Sequence, residues 1–322
     1  MKIGLFGVGH LGKIHLKCLQ ETGFQLIGFY DPDDTAAAFV ENTHHIKRYF
    51  DIESLLNDCD AVNIVSPTLY HYDIAVKACQ HKKHVFIEKP VTETVEQARH
   101  LMELAEENNV LIQVGHVERY NPAIIPLENK IKNPRFIEGH RLAMFNPRGT
   151  DVSVVLDLMI HDLDLVLSIV QSEVKSVAAN GVKIVSNTPD ICNARIEFDN
   201  GCVANLTASR ISLKNMRKLR IFQDDAYISL DFLTKESQMV KIEEVSPGSE
   251  NDHMTISTNS GLKRISIEQF PIEQSNAIQA ELTDFYHAIT QNKTPKVSIR
   301  DGYRALHLAQ LIHHKIENQH VE

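Results

Sequence analysis

Asp157 and His161 stand four residues apart in a run that is otherwise apolar, from Val154 to Leu167. At that spacing two side chains share one face of a helix. A helix that is apolar nearly all round is a buried one. A carboxylate on it must be paired or hydrogen-bonded, and an imidazole meets that need. The same pair makes a general base that works near neutral pH. Asp164, three past His161, is expected on the same side, and Asp162 at an edge or a cap.

A second group is Glu88-Lys89-Pro90, which closes the apolar run 84–87. In an open parallel sheet the C-terminal ends of the strands face the ligand crevice. A lysine there can approach a cofactor or a substrate, so Glu88 and Lys89 are candidates to bind the cofactor, and the ammonium can stabilise charge that develops on a substrate oxygen. Gly115-His116-Val117-Glu118-Arg119-Tyr120-Asn121-Pro122 occupies another such end, and Ser66-Pro67-Thr68 with His71 a third.

A third group is Gly7-Val8-Gly9-His10-Leu11-Gly12, between an apolar strand at 2–6 and a helical run. Gly7 permits a tight turn, Gly9 lets backbone approach a diphosphate, and Gly12 lets the helix pack close to the strand. The helix N-terminus offers free N–H groups and a positive dipole end to the phosphates. Asp31, 19 positions past Gly12, ends the second apolar strand and can accept hydrogen bonds from both hydroxyls of an adenine ribose. Its charge opposes a 2′-phosphate, and no Arg or Lys directly follows it. NAD is therefore expected as cofactor, in preference to NADP.

These groups need a scaffold. Apolar strand runs at 25–30, 61–65, 84–87 and 110–114 alternate with helical runs, the pattern of a doubly wound parallel sheet with crossovers. After about residue 120 strands dominate. Asp199-Asn200-Gly201 and Asp224-Asp225 each lie between β-like runs and read as hairpin turns. The second half is thus expected to carry a large, mainly antiparallel sheet, interrupted by one apolar helix at 152–170. The polar stretch 246–251 reads as a loop. Helices at about 275–291 and 301–318 close the chain. Leu306, Ala309, Leu311 and Ile312 give the last one an apolar stripe, so these helices are expected to pack back on the first domain. The boundaries read as 1–120 and 121–322.

Composition removes other classes. The chain has 322 residues, 33 basic against 42 acidic, for a net charge of −9. A non-specific nucleic-acid binder or a polybasic membrane-surface protein needs the opposite balance. No apolar run reaches the length of a membrane span. The opening stretch, 1–7, is too short and too glycine-broken for a signal peptide. Five scattered cysteines, Cys18, Cys59, Cys79, Cys192 and Cys202, form no CxxC and suggest no disulfide scaffold. A cytoplasmic protein is expected. His44-His45, His81, His84 and His313-His314 lack a third ligand at a recognisable spacing, so no metal is expected.

The ordered set of motifs resembles the glucose-fructose oxidoreductase/inositol dehydrogenase/rhizopine-catabolism (Gfo/Idh/MocA) family. The Glu-Lys-Pro tripeptide with a distant Asp-xxx-His is more specific than the glycine motif, and the match runs over nearly the whole chain. The resemblance implies a Rossmann domain followed by an α/β domain with a large open sheet, which in the family builds homodimers or homotetramers. It implies NAD(P)-dependent oxidation or reduction of a sugar, inositol or related carbinol. It places Lys89, Asp157 and His161 at the family's catalytic lysine, aspartate and histidine, and implies a cis bond before Pro90. His161, oriented by Asp157, is expected as the base and Lys89 as the oxygen ligand, with the two roles exchangeable. The segment 115–123, Arg148 and the segment 151–162 are similar to the nucleotide-sugar 3-dehydrogenases of that family, which act on UDP-N-acetylglucosamine or its uronic acid. By that likeness His116, Arg119, Tyr120, Asn121 and Arg148 are candidates to position substrate. Two other readings stay open: a dehydrogenase of a free polyol or monosaccharide, and an NAD-binding regulator without catalysis. Retention of Lys89, Asp157 and His161 together speaks against the regulator.

Overall fold

The computed structural model describes residues 1–146, 152–244, 254–258, 261–271 and 275–318. The chain divides into two compact units, Met1–Tyr120 with Asn276–Leu308, and Asn121–Ser275 with Ala309–Glu322.

The first unit is built on β1 (Lys2–Phe6), whose Ile3, Leu5 and Phe6 are fully buried. Such near-continuous apolar strands are what a parallel sheet covered on both faces requires. β2 (Gln25–Tyr30), β3 (Arg48–Tyr49), β4 (Ala61–Ile64), β5 (His84–Glu88) and β6 (Ile112–Gly115) complete it in the order β3-β2-β1-β4-β5-β6, with every pairing parallel. The crossovers are α1 (His10–Leu19), α2 (Asp34–His44), α3 (Ile52–Asp58), α4 (His71–Gln80) and α5 (Val95–Asn108). Asp33, Asp51 and Thr94 cap α2, α3 and α5 with their side chains, satisfying N–H groups that a helix start leaves free. The strand order reverses between β1 and β4. That reversal makes the crevice at which open α/β sheets bind ligands.

The second unit holds β7 (Phe136–Leu142), then a π-helical turn at Val155–Met159 running into α6 (Ile160–Val170). Next come β8 (Val174–Val182), β9 (Ile191–Phe198), β10 (Val203–Ser209), β11 (Met216–Gln223), β12 (Ala226–Asp231), β13 (Glu236–Glu244), β14 (Met254–Thr258) and β15 (Gly261–Gln269). These make a nine-stranded sheet in the order β14-β15-β13-β12-β11-β7-β10-β9-β8, antiparallel except for β7 with β10. Along β7 burial alternates strictly, and Arg141 is buried on the covered face. The chain ends in α7 (Ala277–Thr290) and α8 (Ile299–Asn318). Leu282 and Phe285 of α7 join Ile3, Leu19, Phe24 and Phe86 in one core cluster of the first unit.

Three local expectations need correction. β3 is a sixth parallel strand that a two-residue segment does not announce. The helix at 152–170 is not uniform, because the π turn inserts an extra residue and rotates 157 relative to 161 from the stacked α-helical spacing. Asp162 is neither at an edge nor a cap. It is 4% exposed and accepts three hydrogen bonds from Arg141 of β7, at 3.1, 3.0 and 2.7 Å. Both hairpin turns stand where expected, between β9 and β10 and between β11 and β12. The polar stretch 246–251 lies outside the described residues.

Candidate active site

The glycine turn joins β1 to α1. Gly7 sits at φ +94° and donates its N–H to Tyr30 O at 3.0 Å. A Cβ on Gly12 would come within 2.1 Å of Gly7 O, and one on Gly7 within 2.8 Å of Ser66 N, so both positions require glycine. At Gly9 a Cβ would meet nothing within 4 Å, which leaves room for a ligand against the backbone. No side chain caps the start of α1, so its N–H groups stay available to an anion. Across the strand reversal, Ser66 Oγ is buried with no protein partner. Pro67 and Thr68 follow it into a short 3₁₀ turn. An open cradle, bare helix N–H groups and an orphaned hydroxyl fit a dinucleotide diphosphate.

Asp31 is 9% exposed and already supports the turn. Its Oδ2 accepts from Val8 N at 2.7 Å and its Oδ1 from Asp33 N at 2.8 Å. Each oxygen keeps a second lone pair for a ribose hydroxyl. Val8 is buried, whereas Gly9, His10 and Leu11 are exposed on the turn.

At the end of β5, Glu88 is 8% exposed and Lys89 half-buried, and the Lys89–Pro90 bond is cis. Asn63 Nδ2 donates to His15 Nδ1 at 3.1 Å. His15 Nε2 lies 3.1 Å from Glu88 Oε1. Burial pushes the Glu88 carboxyl up. The His15 contact and the Lys89 charge outweigh that push and leave it below its ordinary value. Glu281 of α7, fully buried, brings a third ligating group to within 4.8 Å of these two. Neither of its oxygens has a hydrogen-bond partner. Two buried carboxylates this close do not both ionise without a cation between them. Burial, then the Glu88 charge, raise the Glu281 carboxyl well above its usual range. Glu88 therefore carries the charge and Glu281 the proton.

This has a sign that can be measured. The folded chain keeps the Glu281 proton where the unfolded chain releases it, so stability falls as pH rises above 4.5, the group's ordinary value. Glu281→Gln removes that loss. The Tm of E281Q minus that of wild type is expected to grow between pH 5 and 8. A constant or shrinking difference contradicts the assignment.

His71 is buried and ties two loops together, its Nδ1 3.0 Å from Pro90 O and its Nε2 2.8 Å from Ser66 O. His116 is fully buried, with neither ring nitrogen hydrogen-bonded. Burial, then the Arg119 and Lys89 charges, push its pKa down to about 3, so it is a neutral group throughout the working range. Arg119 Nη2 lies 3.6 Å from Asp301 Oδ1. Tyr120 donates its hydroxyl to Asp284 Oδ2 at 2.7 Å and accepts from Gln113 Nε2 at 3.3 Å. Asn121 serves the second unit, accepting from Ala123 N at 3.1 Å and donating to Phe232 O at 3.2 Å.

Asp157 and His161, both half-buried, belong to the second unit and flank the end of the π turn. The approach to that turn is anchored. Arg210 donates to Val152 O, and Val154 N donates to Pro189 O at 3.1 Å. π turns are frequent at functional sites. Asp164 is 2% exposed. Arg148 lies outside the described residues. Lys89 with the nucleotide cradle thus belongs to the first unit, and Asp157 with His161 to the second.

Sequence reasoning missed His15, Asn63, Arg48 and Glu281. His15 lies three past Gly12 in a run read only as helical, and Glu281 sits far along the chain in the helix at 275–291, to which no site residue was assigned. A polar residue on the inner face of an amphipathic helix was the available signal.

A glycine-turn Rossmann unit followed by a second unit built on a large mixed sheet is the architecture of a pyridine-nucleotide oxidoreductase. Residues 1–116 match the family model described as the oxidoreductase family, NAD-binding Rossmann fold. Residues 128–322 match the C-terminal α/β domain of the same family. The chain belongs to the Gfo/Idh/MocA family of NAD-binding oxidoreductases. It is 36% identical to UDP-N-acetylglucosamine 3-dehydrogenase of Acidithiobacillus ferrooxidans over 91% of this chain and 90% of that protein. A solved structure of that enzyme superposes with a TM-score of 0.88 at 34% identity, covering 99% of this chain and 98% of the other. The scyllo-inositol 2-dehydrogenase (NAD(+)) of Bacillus subtilis is 27% identical over 94% of this chain and 90% of its own. Among the described residues no helix is long and apolar enough to cross a membrane.

Proposed function

We propose that this chain is an NAD-dependent dehydrogenase that oxidises the 3-hydroxyl of a nucleotide sugar such as UDP-N-acetylglucosamine. The observation that carries the reading is the 36% identity to UDP-N-acetylglucosamine 3-dehydrogenase across nearly the full length of both chains. The Asp31 carboxylate at the ribose position and three aspartates around the turn after β2 support NAD over NADP.

When bound, NAD supplies an acceptor for the hydrogen of the carbinol carbon together with its electron pair. The chain does the rest. The Gly7–Gly12 turn and the start of α1 bind the diphosphate, with Ser66, Pro67, Thr68 and His71 shaping the opposite wall. Lys89 hydrogen-bonds the carbinol oxygen and stabilises negative charge as the O–H proton leaves. His161, oriented by Asp157, takes that proton, and Lys89 is the alternative holder. Glu88, ionised and anchored by His15, sets a negative charge behind Lys89. His116, Arg119, Tyr120, Asn121 and Arg148 are the candidates to hold the sugar nucleotide.

A second copy of this chain is the proposed macromolecular partner. Phe136, Phe222, Tyr227, Val240 and Ile267 pair in register across five adjacent strands of the nine-stranded sheet. Phe222 and Ile267 are 37% and 57% exposed. An apolar row of that extent on a sheet face is the kind that dimers and tetramers cover. Five buried, unpaired thiols fit a reducing, cytoplasmic setting.

The test is NADH fluorescence with NAD and a panel of UDP-sugars, inositols and free hexoses. UDP-N-acetylglucosamine or its uronic acid is expected to give the highest kcat/KM. An inositol in first place overturns the substrate assignment and keeps the chemistry, and tight NAD binding without turnover on any carbinol overturns both.

A further inference from the structure

The turn between β2 and α2 holds a cation that the reading of Asp31 does not use. Arg48, on the short strand β3, is only 11% exposed at its side chain. Its Nη2 donates to Asp31 O at 3.0 Å and to Asp34 Oδ1 at 2.6 Å. Both hydrogens of Nη2 are thereby occupied. The guanidinium lies over the Phe50 ring at 5.0 Å, and its Nε is buried without a partner. Asp34 itself is 89% exposed, so only its bond to Arg48 holds it in place. Asp33 is tied up as the cap of α2.

We infer that the Asp34–Arg48 pair is a specificity determinant for the coenzyme: Asp34 neutralises and orients a guanidinium that, released, would receive a 2′-phosphate. The inference rests on the NAD reading and extends it from Asp31 to the pair beneath it. One carboxylate, that of Asp34, is bonded to the guanidinium, and those of Asp31 and Asp33 lie on the same turn, bonded to backbone N–H groups. That balance repels a phosphate dianion and tolerates a ribose hydroxyl. Arg is the side chain best shaped to take a phosphate with paired N–H groups. Arg48 already touches the backbone of the turn, and the carboxylate of Asp34 occupies the same nitrogen.

Equilibrium titration of NAD and NADP by calorimetry tests this at fixed ionic strength, with folding checked by thermal melting. In Asp34→Asn the Kd for NADP is expected to fall about tenfold, equivalent to about 1.4 kcal/mol, while the Kd for NAD stays within about twofold. Adding Arg48→Met to D34N is expected to erase the gain. Unchanged NADP affinity in D34N overturns the inference, as does a gain that survives in the double variant. A wild-type chain that binds NADP more tightly than NAD defeats the NAD reading separately. In that case R48M alone decides the role of Arg48: loss of NADP affinity supports it, and indifference overturns it.

Discussion

Lys89→Met is expected to lower kcat/KM for carbinol oxidation by about 10²–10⁴-fold, with the Kd for NAD unchanged within about twofold. Lys89 sits at the C-terminal end of β5, on the crevice side of the sheet. It follows Glu88, whose carboxylate lies 3.1 Å from His15 Nε2. That places residue 89 at the mouth of the sheet, on a different loop from the glycine turn. Its loss therefore removes charge stabilisation from the reacting oxygen and leaves diphosphate binding alone. The paired variant His161→Asn separates the two acid–base roles. A general base must be deprotonated to work, so activity falls as pH drops through its pKa. The variant that abolishes this acidic limb of the kcat/KM profile lacks the group that takes the proton. Normal rates and unchanged profiles in both variants contradict the assignment.

The second large effect concerns stability. Arg141→Met is expected to destabilise the second unit by about 3–5 kcal/mol at neutral pH, because it takes the bidentate guanidinium away from the buried Asp162 carboxylate. The two side chains are 3% and 5% exposed, and the guanidinium grips both carboxylate oxygens. This pair fixes α6 against β7, and α6 continues from the π turn that carries Asp157. Asp162→Leu added to R141M is expected to restore much of the loss, since a buried ion pair replaced by apolar side chains is often neutral. Urea denaturation measures both. A loss below about 1 kcal/mol in R141M, the range of an exposed pair, contradicts the buried-charge argument.

Some features were readable from residues alone because one residue type satisfies a strict local demand. Gly7 and Gly12 are of this kind: a positive φ at one and a carbonyl 2.1 Å from a would-be Cβ at the other exclude every other side chain. The hairpin at Asp199-Asn200-Gly201 is another, with Gly201 at φ +84°. The parallel strands were legible because burial on both faces demands unbroken apolar runs. Features that depend on long-range partners were not. Asp162 looked peripheral because Arg141, its counter-charge, lies on a strand 21 residues earlier. The proton held by Glu281 depends on Glu88 and His15, each supplied by a different element. Arg48 was invisible because the strand that carries it has two residues. The segment ahead of the π turn is bonded to the distant Arg210 and Pro189, and no periodicity in residues 155–159 announces the turn.

Isotope transfer reaches the centre of the account most directly. UDP-N-acetylglucosamine carrying deuterium at C3 is incubated with the purified chain and NAD, and the reduced coenzyme is analysed by mass spectrometry. One deuterium per NADH formed, and a rate of label transfer about 10²–10⁴-fold lower with K89M, are the results the account requires. Reduced coenzyme free of deuterium, or label transferred equally well by K89M, contradicts it.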